Sequence, residues 1–272
     1  MNSLQDYIDS ELARGRSYFS KEVALAGLGL SEEAFQAAIR RATKKGILVS
    51  PRRGFYLILR PEDRQLGAPD PSRWIDPLMK HLGLDYRISL LRAAAFHGSS
   101  HQAAMTFQVI APKQLPKITI GRQRIEFLFQ SSDAFADANK PEWLSKLKTE
   151  AGFAQISGLE LTLLDMCRYF HKAAGINGAA QAVHDLGKKA DPRILSKAAS
   201  AYENSAVRRL GYLLERFGHN RQAESLKSFA RKAKSFKALD PAVKPLVAEL
   251  ALLDEKNHDW KLIINVPVEI DT

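Results

Sequence analysis

The sequence predicts an α+β protein in which an N-terminal winged helix-turn-helix precedes a larger mixed α/β domain with a small sheet and a helical C-terminal half. Residues 31–60 join a helix-patterned run to two short apolar runs that flank the turn Pro51–Gly54. Strand-like runs return between residues 105 and 129, and apolar residues recur at helical spacing from Ser157 onward. With 272 residues and 45% hydrophobic composition, the chain is long enough for roughly two domains with their own cores.

The first elements are predicted from spacing and capping. An amphipathic helix is expected over residues 3–13, because its apolar residues recur at the spacing of one helical face. That stripe consists of Leu4, Tyr7, Ile8 and Leu12. A short strand is expected at 16–19, followed by Ser20 as the N-cap of a helix over 21–26 and a tight turn at 27–30.

A third helix is predicted between Ser31, which is a good N-cap, and Gly46, which suits the C-terminal end of a helix. Its inward stripe consists of Phe35, Ala38, Ile39 and Ala42. Strands are expected at 47–49 and 55–59, on either side of the turn. This order of elements is that of a winged helix, which we expect to span residues 1–62.

The charge on the third helix and the turn has one sign, because there are seven basic residues and no acidic residue from Gln36 to Arg60. A helix fits the major groove of DNA and a basic hairpin tip fits the adjoining backbone, so we predict that this region binds duplex DNA. The predicted DNA-contacting residues are Arg16, Gln36, Arg40, Arg41, Lys44, Lys45, Arg52 and Arg53. Glu32 and Glu33 depart from the pattern: either they accept hydrogen bonds from cytosine amino groups, or the helix docks unusually.

A second domain is expected over residues 73–272, after a proline- and charge-rich connector at 63–72. It begins with a helical stretch over 73–97, broken near Gly83. Strands are then expected at 105–111, 117–120 and 122–129, with the last two forming a hairpin, and mixed structure at 131–156. Helices follow at 158–172, 177–187, 192–203, 205–217 and 220–235, and the last strand is expected at 260–266.

Composition limits the function classes. A formal charge of +10 and a pI near 9.6 favour a polyanionic partner such as nucleic acid. A single cysteine, Cys167, excludes a disulfide framework within the chain and a thiolate metal cluster. No apolar run approaches the roughly 18–20 residues of a membrane helix, and the N-terminus does not have the pattern of a signal peptide, so we expect a cytoplasmic protein without a membrane partner.

No catalytic residue, metal ligand or cofactor site is predicted, and we expect that the chain is not an enzyme. His97 and His101 lack the intervening glutamate of a zinc-protease helix, so a structural hydrogen bond is the favoured role. Cys167 is expected to be a buried thiol. Gly98-Ser99 resembles the start of a nucleotidyltransferase site, but the next strand has no acidic residue to hold the metal ions.

A second basic zone lies between Arg208 and Lys244. Its basic residues include Arg221, Lys227, Arg231, Lys232, Lys234 and Lys237. Three roles are open: extension of a DNA footprint, contact with an acidic or nucleic-acid-bound protein, or a solvated helix surface. Arg208 and Arg209 are expected outside the apolar stripe of their helix, or paired internally with Asp165 or Glu160.

Three apolar blocks of the second domain carry a family resemblance. They are residues 88–98 followed by His101-Gln102 and the strand 107–110, residues 156–166, and residues 206–215. These blocks resemble the AbiEi family, the antitoxins of type IV abortive-infection toxin–antitoxin pairs. The resemblance covers most of the chain, including the order of its domains.

The resemblance implies a winged N-terminal domain that binds the promoter of its own operon, and a C-terminal domain needed for antitoxicity. It further implies a nucleotidyltransferase-like toxin as cognate partner, neutralised directly or indirectly. We therefore predict a DNA-binding antitoxin and transcriptional autorepressor. The alternative is a ligand-responsive or dimeric winged-helix transcription regulator unrelated to a toxin.

Overall fold

The computed structural model describes residues 3–99, 106–244 and 255–270, which form an α+β protein, as predicted. The chain divides into two compact units. Unit 1 comprises Met1–Arg87, Met105–Gln130 and Lys146–Gln155, and unit 2 comprises Ile88–Ala104, Ser131–Ser145 and Ile156–Thr272. The predicted domains, 1–62 and 73–272 with a connector at 63–72, stay a prediction.

The first part of unit 1 is a winged helix. Its helices are α1 (Leu4–Ala13), α2 (Lys21–Leu28) and α3 (Glu32–Lys44), and its strands are β1 (Tyr18–Ser20), β2 (Leu48–Arg52) and β3 (Phe55–Ile58). The strand order is β1-β3-β2 and both pairs are antiparallel, with Tyr18 opposite Leu57 and Leu48 opposite Ile58. The β2–β3 hairpin is the wing.

Local capping explains where these helices begin and end. The Ser20 hydroxyl accepts a hydrogen bond from the Val23 amide at 3.3 Å, and the Ser31 hydroxyl accepts one from the Ala34 amide at 3.2 Å. α2 is two residues longer than expected and ends before Gly29, which takes the left-handed conformation. Gly46 has φ +67°, which lets the chain leave α3 for β2.

An aromatic core holds the winged helix together. Phe35 of α3 is fully buried, and its ring lies 6.1 Å from that of Tyr56 on β3. Phe19 lies 5.3 Å from Tyr56 and 5.4 Å from Tyr7 of α1. Full burial of such a ring contributes about 1.5–3 kcal/mol, so this core fixes the orientation of α3.

The rest of unit 1 follows the wing with short turns, one helix and strands. Single 3₁₀ turns span Pro61–Asp63 and Pro71–Arg73. The helix is α4 (Ile75–His81), and the strands begin with β4 (Arg87–Ile88), β5 (Phe107–Ala111), β6 (Ile118–Ile120) and β7 (Gln123–Phe129). β7 pairs antiparallel with β6, with Thr119 opposite Arg124, and parallel with β5. The predicted β6–β7 hairpin is confirmed.

Helices make up most of unit 2. They are α5 (Leu90–Phe96), α6 (Ser132–Ala138), α7 (Leu159–Arg168), α8 (Gly175–Leu186), α9 (Pro192–Ala199), α10 (Asn204–Arg216), α11 (Asn220–Glu224) and α12 (Lys227–Arg231). The strands of unit 2 are β10 (Lys237–Ala238), β11 (Glu255–Asn257) and β12 (Leu262–Ile264), whereas most residues of β8 (Leu144–Thr149) and β9 (Gly152–Ser157) belong to unit 1. The expectation of helix over 73–97 was wrong at β4, which interrupts the stretch and pairs with β9.

Helix α7 is the centre of unit 2, with α5, α8, α9 and α10 packed around it. Its residues Leu161 to Cys167 are buried, and among them is the carboxylate of Asp165. That carboxylate accepts hydrogen bonds from Ser89 at 2.7 Å, Ser157 at 3.0 Å and Tyr202 at 2.7 Å. A buried charge is tolerated where donors surround it in this way.

Arg208 and Arg209 of α10 are buried, and the expectation that they lie outside the apolar stripe was wrong. Arg208 donates to the carbonyls of Ser235 and Lys261, each at 2.9 Å. Arg209 donates to the carbonyls of Leu239 at 2.8 Å and Cys167 at 2.9 Å. A guanidinium carries five donors, so it can satisfy several main-chain carbonyls that helical periodicity does not reveal.

Candidate nucleic-acid interface

The outer face of α3 carries two neighbouring rows of side chains. Gln36, Arg40 and Lys44 form one row, and Ala37, Arg41 and Lys45 form the other, since residues four apart lie above one another on a helix. The four basic side chains are exposed and Gln36 is half-buried. Phe35, Ile39 and Ala42 are buried on the opposite side, so the core turns the rows outward.

The charge of these rows is not neutralised within the part of the chain that the structure describes. Across those residues, no acidic group lies within ion-pair distance of Arg40, Arg41, Lys44 or Lys45. Cations in the last turn also stabilise the helix dipole by about 0.3–1 kcal/mol, which gives them a structural benefit as well. Unpaired, exposed cations clustered on one helix face are the arrangement that binds a phosphate backbone.

The acidic start of α3 is partly neutralised. Lys21 of α2 donates a hydrogen bond to the Glu32 carboxylate, and this bond holds the pKa of Glu32 below its usual value. Glu33 is exposed on the outer side. Sequence reasoning missed Lys21. The sequence carried no local signal for this contact, because the two residues are 11 apart and belong to different helices.

The wing turn has a defined conformation. The Ser50 hydroxyl oxygen lies 2.7 Å from the Arg52 carbonyl oxygen and 2.9 Å from the Phe55 carbonyl oxygen, and its single hydrogen is donated to one of them at a time. Gly54 has φ +79°, a conformation that side chains disfavour. These contacts fix the backbone from which the Arg52 and Arg53 side chains project.

The two wing arginines have different surroundings. The Arg52 guanidinium donates to the Pro116 carbonyl and lies 5.9 Å from the centre of the Phe127 ring. Burial lowers the pKa of this guanidinium, which nonetheless stays charged. Arg53 has an exposed side chain, while its carbonyl oxygen lies 3.3 Å from Nε2 of His81. Arg52 thus anchors the wing within unit 1, and Arg53 faces solvent.

Arg16 is also engaged within unit 1. Its Nη1 atom lies 3.5 Å from Oε2 of Glu11, whose other oxygen lies 2.9 Å from Arg14. Glu11 is buried, so these arginines compensate its charge.

Of the eight residues predicted to contact DNA, the structure brings five together on one helix, namely Gln36, Arg40, Arg41, Lys44 and Lys45. DNA contact by any of the eight stays a prediction.

The other predicted side chains have structural surroundings. Nε2 of His97 lies 2.8 Å from the Ser157 carbonyl, and burial lowers the pKa of the imidazole; His101 lies outside the described residues. Burial raises the pKa of the Cys167 thiol to about 12. Over residues 3–99, 106–244 and 255–270, no group of three or more His, Cys, Asp or Glu side chains is arranged to hold a metal ion.

The second basic zone is only partly available. Arg208 and Arg209 are buried, Lys227 lies 2.8 Å from Glu215, and Arg231 lies 3.7 Å from Glu224. Lys232, Lys234 and Lys237 are exposed. The three roles considered for this zone stay open for these lysines.

Comparison with known proteins identifies the family. Residues 87–216 match the AbiEi antitoxin C-terminal domain, and residues 6–58 match a family described as transcriptional regulator, AbiEi antitoxin. Among curated proteins, no sequence matches the chain. Within the described residues, no helix is long and apolar enough to cross a membrane.

A solved structure has the same fold. The crystal structure of the RV2827C protein from Mycobacterium tuberculosis is similar with a TM-score of 0.67 at 18% identity, over 94% of this chain and 89% of that one. At this identity the similarity shows the fold alone. The two family matches cover separate parts of the chain, in the domain order that the family resemblance implied, and the chain belongs to the AbiEi antitoxin family of toxin–antitoxin regulators.

Proposed function

We propose that this chain is a DNA-binding antitoxin that represses its own type IV toxin–antitoxin operon and counteracts a nucleotidyltransferase-like toxin. The observation that carries the DNA-binding half is the exposed face of α3, where Arg40, Arg41, Lys44 and Lys45 have no acidic partner among the described residues. The family membership supports the antitoxin half.

The winged helix suits duplex DNA physically. α3 enters the major groove with the row Gln36, Arg40 and Lys44, so that the glutamine amide and the guanidinium reach base edges. Arg41 and Lys45 contact the phosphates on one side of the groove, and Arg53 contacts the backbone from the wing. The contacts of Ser50 hold the backbone of the wing turn, which lowers the entropy cost of ordering this turn on DNA.

The DNA-binding half is tested with a duplex from the region upstream of the gene. The double variant Arg40→Glu/Lys44→Glu reverses two cations four residues apart, and we expect affinity to fall at least tenfold, or about 1.4 kcal/mol. Arg193→Glu/Lys197→Glu on α9 is the matched control, because these cations are also exposed and four residues apart. Equal affinities of both double variants in a fluorescence anisotropy titration would refute the assignment.

The antitoxin half is tested by co-expression. We expect the chain to restore growth of cells that express the neighbouring nucleotidyltransferase-like gene. The charge-reversed α3 variant separates the two activities: if neutralisation does not depend on DNA binding, this variant still rescues growth but no longer represses a promoter–reporter fusion. Continued toxicity with normal levels of the wild-type chain would contradict the proposal.

One observation favours the alternative of a ligand-responsive regulator. Unit 2 contains a cavity of about 180 Å³, lined by apolar side chains such as Leu91 and Met166 together with Asn177, Gln181 and Glu269. Small-molecule sites are concave and combine apolar walls with polar groups, and the lining of this cavity contains both kinds. Thermal stabilisation of the chain by a metabolite mixture, together with release from its promoter, would favour this alternative.

A further inference from the structure

We infer that the DNA-binding surface of unit 1 continues beyond the winged helix, onto the loop before β6 and the β6–β7 hairpin, and that this extension binds the backbone of DNA flanking the operator. The inference rests on the proposed DNA binding by α3. The residues concerned lie in the part of the chain, 73–272, that we predicted from the sequence to be the second domain. We call these residues, 112–124, the hairpin extension.

The charge of the hairpin extension has one sign. Residues 112–124 contain Lys113, Lys117, Arg122 and Arg124 and no acidic residue. All four side chains are exposed, and none lies within ion-pair distance of an acidic group in the described part of the chain. Glu126, the nearest acidic residue that follows, is half-buried. Like the outer face of α3, this segment therefore has exposed basic side chains without acidic partners among the described residues, which suit a polyanion.

The hairpin extension lies beside the wing. The Arg52 guanidinium donates to the carbonyl of Pro116, the residue directly before Lys117, and stacks toward Phe127 of β7. Ile118 is buried, so the alternation of a strand turns Lys117 and Thr119 outward. Thr119 is opposite Arg124, which places Arg124 on the same outward side. The first cation on that side, Lys117, therefore directly follows Pro116, the residue that Arg52 of the wing contacts.

The hairpin is held firmly in unit 1. The Arg122 amide donates to the Leu66 carbonyl at 2.7 Å, next to a close approach between Gly67 and Gly121. A Cβ added to Gly121 would lie 2.1 Å from the Leu66 carbonyl oxygen, so only glycine fits there. Because the backbone of the hairpin is held in this way, binding a partner does not require the hairpin to become ordered, which favours binding.

Duplex DNA fits this surface best. A duplex held by α3 and Arg53 continues as a rod in both directions, and its persistence length of about 150 base pairs keeps it straight over the size of one unit. The phosphates beyond the wing are a regular row of single negative charges. Exposed lysines and arginines bind such a row without reading sequence, so the extension adds affinity and no base preference.

The test compares two duplexes and two variants. One duplex of about 20 base pairs contains only the operator, and the other of about 40 base pairs adds flanking DNA on both sides. We expect Lys113→Glu/Lys117→Glu to bind the short duplex like the wild type and the long duplex about tenfold more weakly, with a log–log salt slope reduced by about 2. Arg193→Glu/Lys197→Glu is again the control for surface charge.

The outcomes separate this inference from the function on which it rests. If Arg40→Glu/Lys44→Glu weakens binding while Lys113→Glu/Lys117→Glu leaves the long duplex unaffected, the extension is wrong and the proposed function stands. If neither variant weakens binding, the proposed function itself fails. Hydroxyl-radical footprinting gives a second measurement: the hairpin variant should lose protection of flanking sugars and keep protection of the operator, and an unchanged footprint would overturn the inference.

Discussion

The charged guanidinium of Arg209 is buried in unit 2, where it donates hydrogen bonds to main-chain carbonyl oxygens. Its guanidinium bridges the Cys167 carbonyl at the end of α7 and the Leu239 carbonyl after β10, and it lies 4.6 Å from the centre of the Phe170 ring. Burial lowers the pKa of this guanidinium, because the charged form loses hydration. The bridge therefore stabilises unit 2 only while all its donors find acceptors.

We expect Arg209→Leu to destabilise the protein by about 2–4 kcal/mol, because it leaves buried carbonyls without donors. The measurement is the free energy of unfolding in urea. Arg193→Leu, at an exposed position, is the control and should change stability by less than about 0.5 kcal/mol. A loss for Arg209→Leu no larger than for the control would show that the bridge does not stabilise the fold.

His97 predicts how stability depends on pH. Burial lowers the pKa of its imidazole in the folded state. As the pH falls, the unfolded chain takes up a proton at this ring at about pH 6.5, whereas the ring of the folded protein stays neutral to a lower pH. The stability that this ring contributes is present above about pH 6.5 and is lost as the pH falls through the range below it. We expect His97→Gln to lose less stability than the wild type between pH 7.5 and 5.5, by urea unfolding at both values. The exposed His258 provides the control, because His258→Gln should keep the wild-type loss.

At the scale of elements, local signals predicted the winged helix and long-range contacts decided the rest. Ser20, Ser31 and Gly46 mark helix ends in the sequence, and each acts at the expected place. The contact between Arg52 and the Pro116 carbonyl could not be predicted from local sequence, because Pro116 lies 64 residues further along the chain. β4 was missed because a strand of two residues is too short to show a periodicity.

Helix α10 shows a packing constraint that sequence alone did not reveal. The ring of Trp260 lies directly on Gly211, and a Cβ at that position would lie 2.0 Å from a ring atom. Nε1 of Trp260 also donates to Glu215, one turn further along α10, at 2.6 Å. Gly211 thus lets the segment before β12 approach α10 closely.

We expect Gly211→Ala to destabilise the protein by about 1–3 kcal/mol, because the methyl group displaces the indole. Thermal unfolding and tryptophan fluorescence measure the effect. In the background Trp260→Leu the same change should cost less, since the smaller side chain leaves room. Additive effects of the two changes would contradict the contact.

At the scale of the whole molecule, the positive charge has a spatial order within unit 1. The cations of α3, Arg53 and the hairpin extension are exposed, whereas Arg16 and Arg52 contact groups of their own unit. The net charge of +10 indicated a polyanionic partner, but it did not distinguish solvated cations from engaged ones. That distinction needed side-chain contacts between residues far apart in sequence.

The dependence of promoter affinity on salt tests the central claim most directly, because each phosphate that a cation neutralises adds about −0.9 to the log–log slope. With Arg41, Lys45 and Arg53 on the phosphates, we predict a slope of roughly −3 for an operator duplex, and a slope about 2 units shallower for Arg41→Glu/Lys45→Glu. A wild-type slope near zero, or an identical slope and affinity in this variant, would contradict the account.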